Sequence, residues 1–178
     1  HRQNANVMIS VWAKFYPTTE HYKELNAVDG IYRRMDHPQS GEPTDPDYVK
    51  ARYRDWVGPG YPSAFYDPYN PRAKQIYSRQ IIETLGVKNF DAWWLDSDEP
   101  DFHSNLSIEE RQRRMSPTAA GPGAAFFNSF PLVHVDGVYS SLIRFKPDVR
   151  PFILTRSAFG GIQRDSAAVW SGDVASRW

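Results

Sequence analysis

The sequence predicts a parallel α/β fold, and three observations carry that expectation. Short apolar runs alternate with stretches of helical periodicity. The segments separating the first three runs are long enough to hold crossover helices, which parallel strands require. Two of the runs, Asp91-Ala92-Trp93-Trp94-Leu95-Asp96 and Ala167-Ala168-Val169-Trp170-Ser171-Gly172-Asp173, end on a carboxylate shortly after a Trp. Acidic groups at strand C-terminal ends suit both a (β/α)8 barrel and an open doubly wound sheet, and the order of elements alone does not choose between them.

The elements follow in order. Asn6 to Trp12 reads as a buried strand, apolar and partly β-branched, closed by Pro17. A helix is expected near Thr19 to Leu25, then a polar loop with Pro38, Pro43 and Pro46, and turn chemistry at Gly58-Pro59-Gly60-Tyr61-Pro62. Asn70-Pro71 opens a helix, Asn as cap and Pro in the first turn. Ala73, Ile76, Tyr77, Ile81 and Leu85 form its apolar face, and Gly86 is placed to end it. The first acidic strand spans 90 to 96. Ser107-Ile108-Glu109-Glu110 is a capping box opening a charged helix to about Met115. Gly121-Pro122-Gly123 interrupts the chain. A helical pattern then runs from about Ala124 to Phe145, with Pro131 kinking it or lying in its first turns. Pro151 to Arg156 is a third strand and residues 166 to 171 the last.

Composition narrows the function classes. The 178 residues suit one domain, with 21 Lys plus Arg against 21 Asp plus Glu. No basic surplus therefore argues for nucleic acid or an anionic membrane. The absence of Cys excludes disulfides and thiolate chemistry. No apolar stretch approaches the roughly 18 residues of a membrane-spanning helix, and no basic-then-apolar leader opens the chain, so a soluble globular chain is expected. Six Trp and ten Tyr suit a core of large side chains or a carbohydrate cleft, where flat aromatic faces meet sugar C–H faces. The start at His1 and the acidic motif close to Trp178 suggest a piece of a longer domain.

The chemistry centres on Asp96 and Asp173. Two carboxylates facing one substrate are the minimum equipment for cleaving a glycosidic bond. A lone strand-end Asp is commonly a cap or loop residue, but Asp98, Glu99, Asp101 and His103 crowd behind Asp96. That much negative charge needs partners, cations or protonation. Gly172 beside Asp173 lets the backbone pass close to a ligand, Arg156 is either a ligand-binding cation or an ion-pair partner, and Asp98 and Glu99 read as supporting hydrogen-bond groups. The five His show no metal-ligand spacing, so no metal site and no cofactor are expected. The run Trp94-Leu95-Asp96-Ser97-Asp98 also looks like the Asp-x-Asp of Mg-dependent haloacid dehalogenase-type phosphatases. There the match fails, because Pro100 and Arg177 stand where that family has other residues.

Read together, the segments resemble glycoside hydrolase family 31, the α-glucosidase and α-xylosidase family. The resemblance rests on Val11-Trp12-Ala13-Lys14-Phe15-Tyr16, Trp93 to Pro100, Phe152 to Phe159, Gln163-Arg164 and Trp170-Ser171-Gly172-Asp173, in family order along essentially the whole chain. The double Trp, with Lys14-Phe15-Tyr16 and Gly58-Pro59-Gly60-Tyr61, is most similar to the bacterial α-xylosidase branch.

The resemblance implies a partial (β/α)8 TIM barrel, about strands three to six with their helices. It implies a retaining exo-α-glycosidase acting on oligosaccharides with non-reducing terminal α-xylose or α-glucose, with Asp96 as nucleophile and Asp173 as general acid/base. Trp12, Trp94, Arg156 and Trp170 match positions lining the sugar pocket. Arg156 would support the charge of Asp96, while Trp170 and Asp96 would help Asp173 hold its proton. A non-catalytic carbohydrate-binding fragment is the alternative from another class. Ala13, Gly160 and Asp165 depart from the family pattern and bear on loop shape. A barrel typically needs about 250 residues, so strands one, two, seven and eight are expected to lie outside this chain, which alone should be poorly stable and inactive. The two catalytic carboxyl groups should lie roughly 5–5.5 Å apart.

Overall fold

The structure, a computed structural model, describes residues 3–36, 62–100 and 106–173. The expected Pro-rich loop, most of the turn at 58–62, Asp101 and His103 lie outside the described residues. In chain order the elements are β1 (Met8–Trp12), β2 (Lys14–Phe15), α1 (Glu20–Asn26), β3 (Ala64–Phe65), α2 (Pro71–Thr84), β4 (Ala92–Asp96), α3 (Ile108–Arg114), α4 (Gly123–Phe126), α5 (Phe130–Phe145), β5 (Phe152–Thr155) and β6 (Ala167–Val169). They fall into two compact units, one of residues 1–12, 78–99 and 128–178, the other of 13–77 and 100–127.

The first unit carries a sheet in the order β1-β4-β5-β6, every pairing parallel. The sequence expectation of parallel α/β architecture is met, as an open sheet of four strands. Side chains alternate across it with the period of two that a strand imposes. Val11, Trp93, Leu95, Ile153 and Thr155 are buried on one face. Burial of each large apolar side chain there contributes about 1.5–3 kcal/mol. α5 packs against β5 and against a 3-10 turn, Ile162–Asp165, burying Val135, Val138 and Leu142. Trp94, Phe152 and Met8 belong to the other face and are exposed.

The helical pattern expected from about Ala124 to Phe145 resolves into two helices, with Pro131 in a first turn rather than at a kink. α4 passes through a 3-10 turn, Phe127–Ser129, into α5, and Pro131 sits in the first turn of α5. The physical reason is the missing N–H of proline and the clash of its ring with the preceding turn, harmless only at a helix start. Gly86 does not supply the left-handed helix end. A 3-10 turn, Gly86–Lys88, intervenes, and Asn89 adopts the left-handed conformation with φ 61°. At Gly86 the limit is space, because a Cβ would stand 3.3 Å from Ile82 and 3.4 Å from Phe145.

In the second unit, β2 and β3 form an antiparallel pair that no local signal announces, since their partners are far apart in sequence. Asn70 caps α2 as expected, its Oδ1 accepting the N–H groups of Arg72 and Ala73 at 3.0 and 3.2 Å. Ser107 caps α3 through the Glu110 N–H at 3.2 Å. Arg114 is fully buried, donating to Glu110 Oε1 at 2.7 Å and to the Arg34 carbonyl at 2.9 Å.

Candidate active site

β4 sets the site because its alternation places Trp94 and Asp96 on the same face. Trp12 is the register partner of Asp96 on β1, so it shares that face. The parallel ladder continues beyond the regular strands. Arg156 donates its N–H to the Leu95 carbonyl at 3.3 Å, and Trp170 donates to the Thr155 carbonyl at 3.4 Å. All four C-terminal strand ends therefore deliver a side chain singled out from the sequence. The Trp94 and Trp170 rings meet edge to face, centroids 5.7 Å apart.

Arg156 is the centre of the charge arrangement. Its Nε donates to Glu99 Oε2 at 3.1 Å, and its Nη2 reaches both Glu99 Oε1 and, at 3.0 Å, Ser97 Oγ. Its Nη1 stands 3.5 Å from Asp96 Oδ1 and 3.8 Å from Asp173 Oδ2. The fork-shaped contact with Glu99 fixes the guanidinium plane, and Nη1 is left pointing between the two strand-end acids. Ser97 turns the chain after β4 in a left-handed conformation, φ 61°, and its N–H is held by Asp96 Oδ1 at 2.9 Å. Gly172 likewise has φ 78°, and a Cβ there would stand 3.5 Å from Arg156 Cγ and Cδ. The left-handed backbone is what requires glycine there, with the Arg156 stem in ordinary van der Waals contact beside it.

Asp96 and Asp173 sit in different surroundings. The Asp96 side chain is 15 % exposed and that of Asp173 97 %. The apolar walls expected around Asp173 are not supplied by the described residues. The two facing oxygens are each within reach of Nη1, so they are separated by at most the sum of those distances, about 7.3 Å.

Asp98 faces the other way. It is wholly buried, its Oδ1 accepting the Ser157 N–H at 3.0 Å and the Ser157 hydroxyl at 3.2 Å. Its Oδ2 hydrogen-bonds with the Thr155 hydroxyl. Burial pushes the Asp98 carboxyl up to about 7, with the Glu99 charge adding to the rise and these hydrogen bonds opposing it. The Asp-x-Asp pair is therefore split between two faces, contrary to what a shared phosphate and cation would need. Thr155 and Ser157 were not singled out in the sequence. The Asp-x-Asp spacing was a signal for Asp98, but its partners are brought close only by the β4–β5 register.

A parallel sheet with crossover helices and charged groups gathered at strand C-terminal ends defines the α/β class that barrels and doubly wound sheets share. The whole chain, residues 1–178, matches the Glycosyl hydrolases family 31 TIM-barrel domain. It is 30 % identical over its full length to an alpha-xylosidase of Saccharolobus solfataricus, of which it spans 20 %. It also superimposes over its whole length on 18 % of the crystal structure of a family 31 alpha-xylosidase from Xanthomonas citri, with a TM-score of 0.86 and 48 % identity. A soil-metagenome alpha-xylosidase complexed with xylose shares the fold at a TM-score of 0.73 and 21 % identity, 99 % of this chain covering 23 % of that one. The chain belongs to glycoside hydrolase family 31. It spans about a fifth of the length of these relatives.

Proposed function

We propose that the chain is the central part of the (β/α)8 catalytic domain of a longer retaining exo-α-glycosidase that releases terminal α-linked xylose from oligosaccharides. The observation that carries this reading is the placement of Arg156 Nη1 against both Asp96 and Asp173. The cation facing Asp96 offsets the charge of that nucleophile, and Asp173 meets the same guanidinium from another strand end. The alpha-xylosidase relatives, one at 48 % identity, support xylose over glucose.

In this reading Asp96 attacks the anomeric carbon while Asp173 gives its proton to the departing glycosidic oxygen. The bond to the leaving group breaks and a glycosyl ester of Asp96 forms. Asp173, now ionised, takes a proton from water, which attacks the same carbon and frees Asp96. Trp12, Trp94 and Trp170 supply apolar surface for the ring, and Arg156 holds the two acids in relation. The bound of about 7.3 Å on the facing oxygens accommodates the 5–5.5 Å of retaining enzymes as well as the shorter inverting separations, so retention rests on the family resemblance.

Asp96→Ala and Asp173→Ala in the full-length protein that carries this chain test the reading on an aryl α-xyloside. Asp96→Ala should abolish turnover, and Asp173→Ala should lower it roughly 10²- to 10⁴-fold. Unchanged turnover in either variant would refute the assignment, whereas sugar binding without wild-type turnover would leave only a binding role. The Bacillus thermoamyloliquefaciens relative, an alpha-glucosidase 30 % identical over 125 residues, favours glucose as the second reading. Comparing aryl α-xyloside with aryl α-glucoside decides between them, because the hydroxymethyl group of glucose needs room that xylose does not.

A further inference from the structure

We propose that Asp98 is a positioning residue held as a neutral carboxylic acid, which locks the turn after β4 to the turn after β5 and thereby sets Arg156 between Asp96 and Glu99. The kinetic part of this proposal rests on the roles given to Asp96 and Asp173 above. The protonation state does not.

The Thr155 hydroxyl lies within hydrogen-bonding distance of two oxygens, Asp98 Oδ2 and, at 3.1 Å, the Ser157 carbonyl. A hydroxyl has one proton to donate, and a carbonyl oxygen can only accept. Both contacts are satisfied when Thr155 donates to Ser157 and accepts from Asp98, which requires a proton on Oδ2. The other oxygen, Oδ1, already accepts two donors from Ser157, as the carbonyl end of an acid should. Asp98 and Thr155 are both wholly buried, so water does not supply the missing donor cheaply.

The charged groups on the segments involved are Asp96 and Glu99 beside Asp98, Arg156 beside Thr155, and Asp173 beyond β6, which faces the same Arg156. Arg156 turns its guanidinium to Glu99, Asp96 and Asp173, so the negative charge of Glu99 acts on Asp98 and favours its neutral form. The carboxyl raised to about 7 by burial and by Glu99 agrees with the geometry. When Asp98 ionises, Thr155 must turn its proton from Ser157 to Asp98. The turn that carries Arg156 then loses its internal hydrogen bond, and a buried negative charge appears beside the partly exposed Glu99.

The test uses the full-length protein with Asp98→Asn and Asp98→Ala. Infrared difference spectra of wild type against Asp98→Asn should show a protonated-acid C=O band at pH 6 that fades by pH 8. On an aryl α-xyloside, Asp98→Asn, a neutral isostere, should keep kcat/KM within about threefold at pH 6 and move the alkaline limb of the profile upward. Asp98→Ala should lose roughly 100-fold at every pH, mainly in kcat. Three results would overturn the proposal: no acid band in the wild type, an Asp98→Asn variant as impaired as Asp98→Ala, or an unmoved alkaline limb. The spectrum needs no turnover, so if Asp96→Ala left activity intact, the catalytic assignment would fail while the state of Asp98 was still decided.

Discussion

Arg156 Nη1 lies 3.5 Å from Asp96 and 3.8 Å from Asp173, while the other edge of the same guanidinium grips Glu99. The two acids are delivered by different strands, and the arginine between them by a third. Lysine cannot reproduce this, because a point charge on a flexible stem lacks the planar fork. Arg156→Lys should lower kcat/KM of the full-length enzyme by roughly 10²-fold. Arg156→Ala should also cost about 3 kcal/mol of stability, since it strands partly buried carboxylates. Steady-state kinetics and denaturant unfolding measure the two effects.

Gly172→Ala should impair the same arginine by another route. The position has φ 78°, and a Cβ there would stand in ordinary contact, 3.5 Å, with the Arg156 stem, so the strain lies in the backbone. Left-handed backbone costs an alanine about 1–2 kcal/mol, so the segment bearing Asp173 should shift or strain. Activity should fall further than the change in melting temperature would suggest.

Stability should depend on pH through Asp98. Its folded-state carboxyl titrates near 7, above the ordinary 3.8 of the unfolded chain. The folded state therefore binds more protons between these values, and stability falls as pH rises from about 4 to about 7. The loss attached to this one group is at most about 4 kcal/mol. Urea unfolding at pH 5 and pH 8 should show the decline, and Asp98→Asn should flatten it.

Glu110 carries the opposite dependence. Hydrogen bonds from Arg113, then Arg114, hold its carboxyl down at about 2, against the ordinary 4.5. Its contribution is present above about 4.5 and is lost as pH falls toward 2. Glu110→Gln removes the carboxylate that the buried Arg114 Nε meets at 2.7 Å and should cost about 3 kcal/mol. Unfolding midpoints at pH 6 measure this.

Much of this architecture was legible in the sequence for local reasons. β1, β4 and β5 were visible as apolar runs, and the caps at Asn70 and Ser107 as short-range hydrogen-bond chemistry. Pro131 points to either a kink or a first turn, and its missing N–H and ring fit only the latter without loss. The β2–β3 pair was invisible because its register depends on residues far apart in the chain. The same holds inside the site. Asp96, Arg156 and Asp173 stand out as strand-end residues in family order. The inward turn of Asp98 toward Thr155 and Ser157 follows from the β4–β5 pairing and from the left-handed backbone at Ser97, neither of which a linear pattern displays. The exposure of Asp173 has no linear signal either, because the sequence shows which residue neighbours it in the chain, not what covers it.

The most direct test of the central claim is to trap the glycosyl ester. The full-length protein would be incubated with a fluorinated α-xylosyl fluoride, whose ester forms faster than it hydrolyses, and then digested and analysed by tandem mass spectrometry. The account predicts one added fluoroxylosyl group per chain, carried by Asp96. A label on Asp173 or any other residue, or rapid turnover of an α-xyloside with inverted product and no label, would contradict it.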